Sequence, residues 1–539
     1  MQHPTLAWLV VISLSLILRA TNTAVIDDSS NEFDCSTPQV LRLTWPENSN
    51  FRDPRFIDAN SRQATSLLYA DGLVRRGLHG TPELSLAESY TVSDDLKTYI
   101  FKIRERARWS DGKDITAMDI ERNWTSFLES DAGAKCRYLF ETARSASATG
   151  LNPRERLMIT ALDKKTLRVT LKKRIDDFLW LLCSPNFMLF KDYDEPHILY
   201  GPGPQSPVSG PFIYTKKSSK MHCLEKNHSY WDAENVKLDR IEIRMQQSSR
   251  FTLPLFINDE IDFVSYPFGE IDYFALKKSD TSQKSVLIHT EQAQICFWLE
   301  LNTEDPLLKN IHLRKALSLA MNRSDLSLKM GAHKFKPAIT FLPAKAQINP
   351  RYFTLNALPQ QAAEFLDKAV SELDLPKSTI ELEILTTPKE VSPSLSTLIA
   401  ESLEESLGIK ISIREVGHKE YLQRISEKKF QIAHFHWAGY SADPLCFLSL
   451  FRHTKPNIYY SNYTSWHNLN YIELLERAQQ SNSEETRTKL FSEAERILLD
   501  EMPIIPLLEC RTDWLQNPQL KNFVINEPNM IDFKWSYFD

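Results

Sequence analysis

The segment 82–124 constrains the fold of this 539-residue chain more than any other part of it. Its first half predicts a β-hairpin, with strands at 89–92 and 98–104 around a polar turn. In the second strand Tyr99 and Phe101 alternate with polar or smaller neighbours, which is the period of a half-buried strand. The segment therefore begins as a pair of antiparallel strands with one face turned to a core.

The second half of the segment predicts a turn followed by an amphipathic helix. Gly112 supplies the residue that tolerates a positive φ in this turn. Thr116 and Asp119 have the spacing of a capping box at a helix N-terminus. One helical face then collects apolar side chains: Ala117, Ile120, Trp124, Phe127 and Leu128.

The residues of this segment resemble the signature of extracytoplasmic solute-binding proteins that serve oligopeptide, dipeptide and nickel ABC importers. The resemblance lies in Pro82-Glu83-Leu84, in Ala87-Glu88-Ser89, and in Trp109-Ser110-Asp111-Gly112 ahead of a helix. Further motifs resemble the same family in the same order, and they fall at 159–171, 209–212, 227–232, 256–262, 311–323 and 438–443. The order of the motifs carries the resemblance, because each motif by itself is common.

Length and composition agree with a soluble protein of more than one lobe. A chain of 539 residues exceeds what one hydrophobic core usually supports. Hydrophobic content of 42% and charged content of 25% are ordinary for globular proteins. The net charge of −6 provides no basic excess, so we expect no nucleic-acid partner.

The first residues predict export. An apolar run from Leu6 to Leu18 is too short to span a bilayer comfortably and fits the core of a signal peptide over residues 1–24. An uncleaved N-terminal anchor is the alternative. Cys35 stands too far beyond the run for a lipidated cysteine, and the seven cysteines include no C-x-x-C pair. We expect a periplasmic protein without a lipid anchor.

The resemblance implies an α/β fold with mixed sheets, the two-lobed periplasmic-binding-protein-like fold of the class that carries an extra domain. Lobe I is expected to be discontinuous, and the segments expected to build it are 36–58, 205–292 and 505–539. The extra domain is expected at 59–204 and lobe II at 293–504. Local patterns add helices over 67–74 and 177–189.

The expected ligand site lies in the segment 430–447, which starts as a strand. Its residues 438–443 resemble the family segment ala-gly-trp-x-ala-asp, in which the aspartate receives the α-amino group of a bound peptide. By position, Asp443 is then the ammonium partner, and the backbones of Gly439 and Ser441 pair with the peptide. The alternative is that Asp443, which precedes a proline, caps a helix. One residue can do both.

Two aromatic residues and two histidines complete the candidate site. The best-known oligopeptide binder has an arginine where Trp437 stands, so a contact to the peptide carboxylate is not implied here. Trp437 and Tyr440 either enclose the ligand or belong to the core. His434 and His436 share one face of a strand, which keeps nickel open as an alternative, although we predict no metal site and no cofactor.

The sequence contains no enzyme motif of the kinds H-E-x-x-H, G-x-S-x-G or G-x-x-x-x-G-K. The resemblance implies a non-enzymatic receptor that captures short peptides and delivers them to an ABC permease in the cytoplasmic membrane, and we expect this receptor to be a monomer. Within the family, the alternatives are a binder of dipeptides, peptidoglycan peptides, nickel or haem. Outside it, a secreted peptidase or a chaperone-like protein stays open.

Overall fold

The computed structural model describes most residues of the chain. The predicted signal peptide over 1–24 and Cys35 lie outside them. The described residues are 38–46, 65–130, 140, 142–144, 155–172, 174–175, 178–191, 203–204, 206–248, 251–266, 268–269, 271–278, 287–388, 392–439, 442–452, 462–481, 483–526 and 530–539.

A four-stranded mixed sheet joins the start of the described chain to a much later segment. Val40–Pro46 runs parallel to Arg240–Gln246, which is antiparallel to Met221–Lys226, and Phe212–Lys217 forms the far edge. A long insertion therefore separates two strands that are neighbours in space. The buried side chains of this sheet include Leu41, Leu43, Trp45, Ile241 and Ile243.

The insertion contains an antiparallel sheet in the order Ala87–Val92, Thr98–Ile103, Thr166–Thr170 and Ile159–Ala161. The helix Ala117–Glu129 packs against it and buries the predicted apolar face. Both hydrogen bonds of the predicted capping box are present at its N-terminus, and Gly112 has a φ of +82°. The hairpin and the capped helix predicted from the segment 82–124 are confirmed.

The largest sheet has seven strands and carries the candidate site. Six of them follow the order Phe263–Val264, Ile504–Gln516, His289–Leu301, Ile432–Ala438, Glu381–Thr386 and Lys410–Glu415. The last three are mutually parallel, the other pairings are antiparallel, and Phe335–Pro337 adds a seventh strand beside Ile504–Gln516.

Helices cover this sheet and bury the largest core of the described chain. The parallel strands Glu381–Thr386 and Lys410–Glu415 flank the helix Ser392–Leu407 in the sequence and form a β-α-β unit with it. Leu299, Ile384 and Ile432 are fully buried in this core. The helices of this half are Ile311–Ala320, Arg323–Gly331, Pro359–Leu373, Ser392–Leu407, His418–Ser426, Leu445–Leu448, Leu469–Gln480 and Glu484–Glu501.

Shorter elements complete the described chain. Paired short strands are Val74–Arg76 with Pro82–Leu84, Thr142–Arg144 with Glu155–Leu157, Leu520–Lys521 with Tyr537–Phe538, and Val524–Asn526 with Met530–Asp532. Further α-helices are Ser66–Tyr69, Phe178–Leu182, Thr252–Ile257 and Tyr273–Lys278, and the 3-10 helices are Pro185–Phe187, Ala233–Asn235, Lys377–Thr379 and Ser449–Phe451.

The helix predicted over 67–74 is wrong beyond its first turn. It ends at Tyr69, and a strand begins at Val74. The reason is tertiary: Asp71 turns its carboxylate inward, where it accepts hydrogen bonds from the Ser85 and Tyr230 hydroxyls at 2.6 and 2.5 Å. Buried polar groups take such partners when they can, and here the partners come from distant segments.

The predicted helix over 177–189 is also shorter than expected. Phe178–Leu182 is helical, and after an interruption the chain continues as the 3-10 turn Pro185–Phe187. Pro185 lacks the N–H that would continue the helical ladder, and the Ser184 hydroxyl caps the new turn. The apolar side chains at both ends, Phe178 and Phe187, are nevertheless buried.

Candidate functional site

The strand Ile432–Ala438 fixes the start of the candidate site inside the large sheet. It runs antiparallel to His289–Leu301, with Ala438 opposite Ile295, and parallel to Glu381–Thr386. A strand with neighbours on both sides has little freedom to shift. The predicted ligand-binding segment therefore begins at a backbone position that the sheet holds in place.

Gly439 continues the pairing by one residue and packs closely against an aromatic ring. Its backbone N–H donates to the Gln294 carbonyl oxygen at 2.7 Å. A Cβ at this position would lie 2.4 Å from Cζ of Phe447, so the ring occupies the space that any other residue would need. Because the N–H is already bonded within the protein, backbone pairing with a peptide at Gly439 would have to use its carbonyl oxygen.

Asp443, the predicted ammonium partner, caps the first turn of a short helix. Its Oδ1 accepts the backbone N–H of Leu445 at 2.8 Å, and its backbone carbonyl accepts the N–H of Cys446 at 3.0 Å. The helix is Leu445–Leu448, with Pro444 at its N-cap position. The capping role that the sequence offered as an alternative is thus present, and it occupies one carboxylate oxygen.

The other carboxylate oxygen has a partner that the sequence did not indicate. The guanidinium of Arg487, in the first turn of the helix Glu484–Glu501, donates through Nη2 to Oδ2 of Asp443. The side chains of Arg487 and Asp443 are 14% and 19% exposed, so the ion pair is shielded from most solvent. No local motif links two residues so far apart in the sequence, which is why sequence reasoning missed Arg487.

Of the other predicted ligand residues, Trp437 is among the described residues and two are not. Trp437 lies on the strand opposite Cys296 and is half-buried, with its ring packed against the largest core. It therefore contributes to the core. Tyr440 and Ser441 lie outside the described residues.

The two strand histidines have separate surroundings. Nε2 of His434 lies 3.0 Å from the Thr386 hydroxyl, whereas the ring of His436 stacks on Phe297 at a centroid distance of 5.3 Å. Burial and the adjacent His436 lower the pKa of His434 to about 4. Within the described ranges, no group of three or more His, Cys, Asp or Glu side chains could hold a metal ion.

Glu300 is a buried carboxyl group in the same sheet that sequence reasoning did not single out. It is 3% exposed, and its Oε1 accepts a long hydrogen bond of 3.4 Å from Trp298 Nε1. Burial raises the pKa of Glu300 to about 8, although Lys428 opposes this effect. Two tyrosines, Tyr421 and Tyr463, are close enough for the glutamate charge to raise their pKa values as well, after the larger effect of burial.

An open cavity of about 500 Å³ lies at the opposite end of the strand Ile432–Ala438 from Gly439. Several of its polar groups are already bonded to one another. The Gln431 amide donates to Asp305 at 3.1 Å, and the Asn302 amide donates to the carbonyls of Lys428 and Phe430. The cavity is separate from the predicted ligand segment.

None of the helices in the described part of the chain combines the length and the apolar character needed to cross a bilayer. This finding concerns the described helices alone and does not include the segment 1–37.

Comparison with known proteins identifies close likenesses over most of the chain. The family described as "Bacterial extracellular solute-binding proteins, family 5 Middle" matches residues 81–458. The oligopeptide-binding protein OppA of Bacillus subtilis is 28% identical over 480 residues, which cover 87% of this chain and 87% of that protein. The dipeptide-binding protein DppE of the same organism is 29% identical over 480 residues, which cover 86% of each.

A solved structure shows the same fold. OppA of Listeria monocytogenes bound to peptide matches with a TM-score of 0.69 and 25% identity, and the match covers 93% of this chain and 99% of that chain. Together with the mixed sheets described above, this likeness confirms the predicted α/β, two-lobed periplasmic-binding-protein-like fold.

Proposed function

Because the chain belongs to the bacterial extracellular solute-binding proteins of family 5, we propose that it is a receptor that captures short peptides outside the cytoplasmic membrane. It would deliver them to an ABC-type permease. Relatives named as oligopeptide- and dipeptide-binding proteins support this function, and they cover most of the chain. The family is one of solute-binding proteins, and we propose that this member likewise acts by binding, without catalysis.

One observation carries the proposal at the level of the site: a carboxylate is fixed just beyond the end of a sheet strand. Asp443 follows the strand Ile432–Ala438 by a few residues and is held by the N-terminus of the next helix. A carboxylate held in this way can anchor a peptide ammonium through a charge-assisted hydrogen bond. Backbone pairing alongside the strand end would bind peptides of any sequence.

The other candidate residues take roles consistent with this arrangement. We assign the carbonyl oxygen of Gly439 and the backbone of Ser441 to pairing with the peptide main chain. Tyr440 is assigned to enclosing the ligand. Trp437, whose ring packs against the core, would border the site with whatever surface it leaves exposed.

The division of the chain follows the family fold. We propose that lobe I comprises 36–58, 205–292 and 505–539, that the extra domain spans 59–204, and that lobe II spans 293–504. The paired long strands His289–Leu301 and Ile504–Gln516 pass these boundaries, and their pairing is irregular between Gln292 and Cys296. Closure of the lobes around a peptide would be stabilised by the greater affinity of the closed state.

We propose a periplasmic, monomeric receptor whose partners are short peptides and the permease, with no nucleic-acid partner and no cofactor. The net charge of −6 supports the exclusion of nucleic acid.

Native mass spectrometry of the purified protein tests the function. We expect a mixture of short intact peptides on the wild-type protein, released by mild denaturation, and a depleted mixture on the Asp443→Ala variant. Asp95→Ala is the matched control, because Asp95 belongs to an exposed ion pair on the hairpin. A metal or a single non-peptide compound on the wild type would refute peptide binding, and fragments of an added peptide would indicate a peptidase.

The same measurement tests separately whether the protein binds peptides and whether Asp443 contributes to that binding. Peptides retained equally by wild type and Asp443→Ala would support the receptor but would assign Asp443 to helix capping and ion pairing alone. Peptides of uniform length two would narrow the ligand to dipeptides.

A further inference from the structure

Glu300 is a buried carboxyl group that the proposed peptide site does not use. It lies near the end of the strand His289–Leu301, between Ala433 and Ile504 of the two neighbouring strands, and is 3% exposed. Its Oε1 accepts the long hydrogen bond from Trp298 Nε1, and its Oε2 accepts none from the described residues. A carboxylate with so few partners is costly to bury, so this setting favours the neutral, protonated carboxyl group.

The titratable groups that face Glu300 come from other elements of the fold. Tyr421 belongs to the helix His418–Ser426, Lys428 follows that helix, and Tyr463 belongs to the turn 462–466. Burial raises the pKa values of both tyrosines, so their phenol groups stay neutral. Lys428 supplies the positive charge that acts on the carboxyl group.

Lys428 lies close to two acidic side chains. Burial lowers the pKa of Lys428, and the charges of Glu300 and Glu304 raise it. Glu304 is exposed, and both it and Lys428 line the open cavity described above. The Lys428 ammonium donates to the carbonyl oxygen of Asn462 at 3.1 Å. The lysine therefore has a backbone partner while the carboxyl group of Glu300 is neutral.

The carbonyl that Lys428 contacts belongs to the turn 462–466. Asn462 is fully buried, its Oδ1 accepts the N–H of Thr464 at 3.0 Å, and its amide donates to the Trp466 carbonyl at 2.5 Å. The Thr303 hydroxyl donates to the Thr464 carbonyl at 2.8 Å. The turn is thus attached both to Lys428 and to the end of the strand that carries Glu300.

We propose that Glu300 and Lys428 form a proton-controlled switch beside the cavity. With a proton on Glu300, the Lys428 ammonium stays on the Asn462 carbonyl. Loss of this proton to solvent leaves a buried carboxylate, which draws the ammonium inward as an ion pair and away from Asn462. The flexible lysine side chain permits this exchange of partners. The turn 462–466 then loses one attachment, and the cavity loses an ammonium group from its wall.

The exchange of partners is expected at mildly alkaline pH. Burial raises the pKa of Glu300 to about 8, and the Trp298 indole, the Lys428 charge and the Tyr463 backbone moderate this rise. Below that pH the carboxyl group holds its proton, and above it the carboxylate forms. The switch goes beyond the proposed function, because it acts without a bound peptide.

Fluorine NMR of protein labelled with 5-fluorotryptophan tests the switch, because Trp298 is bonded to the carboxyl group that titrates. Its resonance among those of the 11 tryptophans is assigned by its absence from Trp298→Phe. On the wild type we expect this resonance to shift with a midpoint of about pH 8, and on Glu300→Gln we expect it to stay constant. If no tryptophan resonance of the wild type shifts near this pH, the switch is overturned, whether or not the variants fold.

The role of Lys428 is tested by the midpoint of the same titration. Lys428→Met removes the cation that favours the ionised carboxylate, so the midpoint should rise by about one pH unit. Lys429→Met is the matched control, because Lys429 lines the same cavity but pairs with Glu427, and its midpoint should equal that of the wild type. Circular dichroism verifies folding, and Lys428→Gln is the second variant. An unchanged midpoint on either folded Lys428 variant overturns the pairing.

Hydrogen exchange measures whether the turn 462–466 loses its attachment. The N–H groups of Thr464 and Trp466 are bonded within the turn, so their exchange reports its opening. After correction for the intrinsic effect of pH, we expect both amides of the wild type to lose about threefold or more of their protection as the pH rises through 8. On Glu300→Gln they should keep it. Equal protection of the wild type on both sides of this pH overturns the movement of Lys428 away from Asn462.

Discussion

Arg75 and Asp532 form a buried, bidentate ion pair although 457 positions separate them in the sequence. Nε of Arg75 donates to Oδ2 of Asp532 at 2.6 Å, and Nη2 donates to Oδ1 at 2.7 Å. Arg75 also donates to the carbonyl of Leu67 at 2.6 Å and lies 3.5 Å from Asp71. The pair joins the short strand Val74–Arg76 to the short strand Met530–Asp532.

Removal of one partner of this pair should destabilise the protein strongly. In Asp532→Ala the guanidinium of Arg75 keeps its buried position but loses a compensating charge, so we expect a loss of about 3–5 kcal/mol in the free energy of unfolding. Urea denaturation measures the change. The exposed pair of Asp95 with Lys97 provides the control, since Asp95→Ala should lower the free energy of unfolding far less. Equal effects of the two substitutions would contradict this view of the buried pair.

Glu300 should make the stability of the protein depend on pH. Burial raises its pKa from 4.5 to about 8, so the folded state holds a proton that the unfolded state releases above pH 4.5. The contribution of Glu300 to the free energy of unfolding is therefore largest below pH 4.5 and declines as the pH rises to about 8. The expected decline is on the order of several kcal/mol.

The Glu300→Gln variant tests this dependence, because glutamine is neutral throughout. Denaturation at pH 5 and pH 8 should show a smaller loss of stability for the variant than for the wild type. Lys428, Tyr421 and Tyr463 surround the carboxyl group and are unchanged in the comparison. The exposed Glu405→Gln is the control and should behave as the wild type. Identical slopes for wild type and Glu300→Gln would show that Glu300 does not titrate in this range.

Gly439 should not tolerate even alanine. An added Cβ would meet the Phe447 ring at 2.4 Å, and the displacement needed should cost about 1–3 kcal/mol of stability. Thermal or urea denaturation measures the loss. Gly417→Ala is the matched control, because a Cβ there has no atom within 4 Å. Gly439→Ala should lower stability less in a Phe447→Leu background than in the wild type, because leucine leaves more room for the added Cβ. An equal loss in both backgrounds would show that the Phe447 ring is not the source of the strain.

Thr116 should stabilise its helix through its hydroxyl group. The Oγ1 atom accepts the backbone N–H of Asp119 at 3.2 Å, and the Asp119 carboxylate accepts the N–H of Thr116 at 2.8 Å. Thr116→Ala should therefore cost about 0.5–2 kcal/mol in the free energy of unfolding. Thr116→Ser keeps the oxygen and should stay near the wild-type value. Equal losses in both variants would assign the effect to the lost methyl group.

The elements that depend on near neighbours were predictable from the amino-acid sequence alone. The hairpin, the capped helix Ala117–Glu129 and the strand Ile432–Ala438 follow from periodicity and from capping residues a few positions apart. The order of the motifs along the chain determined the family, and with it the fold. Periodicity and capping are local patterns, and the order of motifs is a property of the linear sequence. Neither requires three-dimensional information.

The contacts between side chains that are distant in the sequence depend on how the folded chain packs. The helix at Ser66–Tyr69 stops because the Asp71 carboxylate is bonded to Ser85, 14 positions away, and to Tyr230, 159 positions away. Arg487 reaches Asp443 across 44 positions, and that contact engages one oxygen of the carboxylate. Burial and pairing of charges arise from packing, and hydrophobic periodicity does not encode them. The sequence therefore identified Asp443, whereas the structure decided what surrounds its carboxylate.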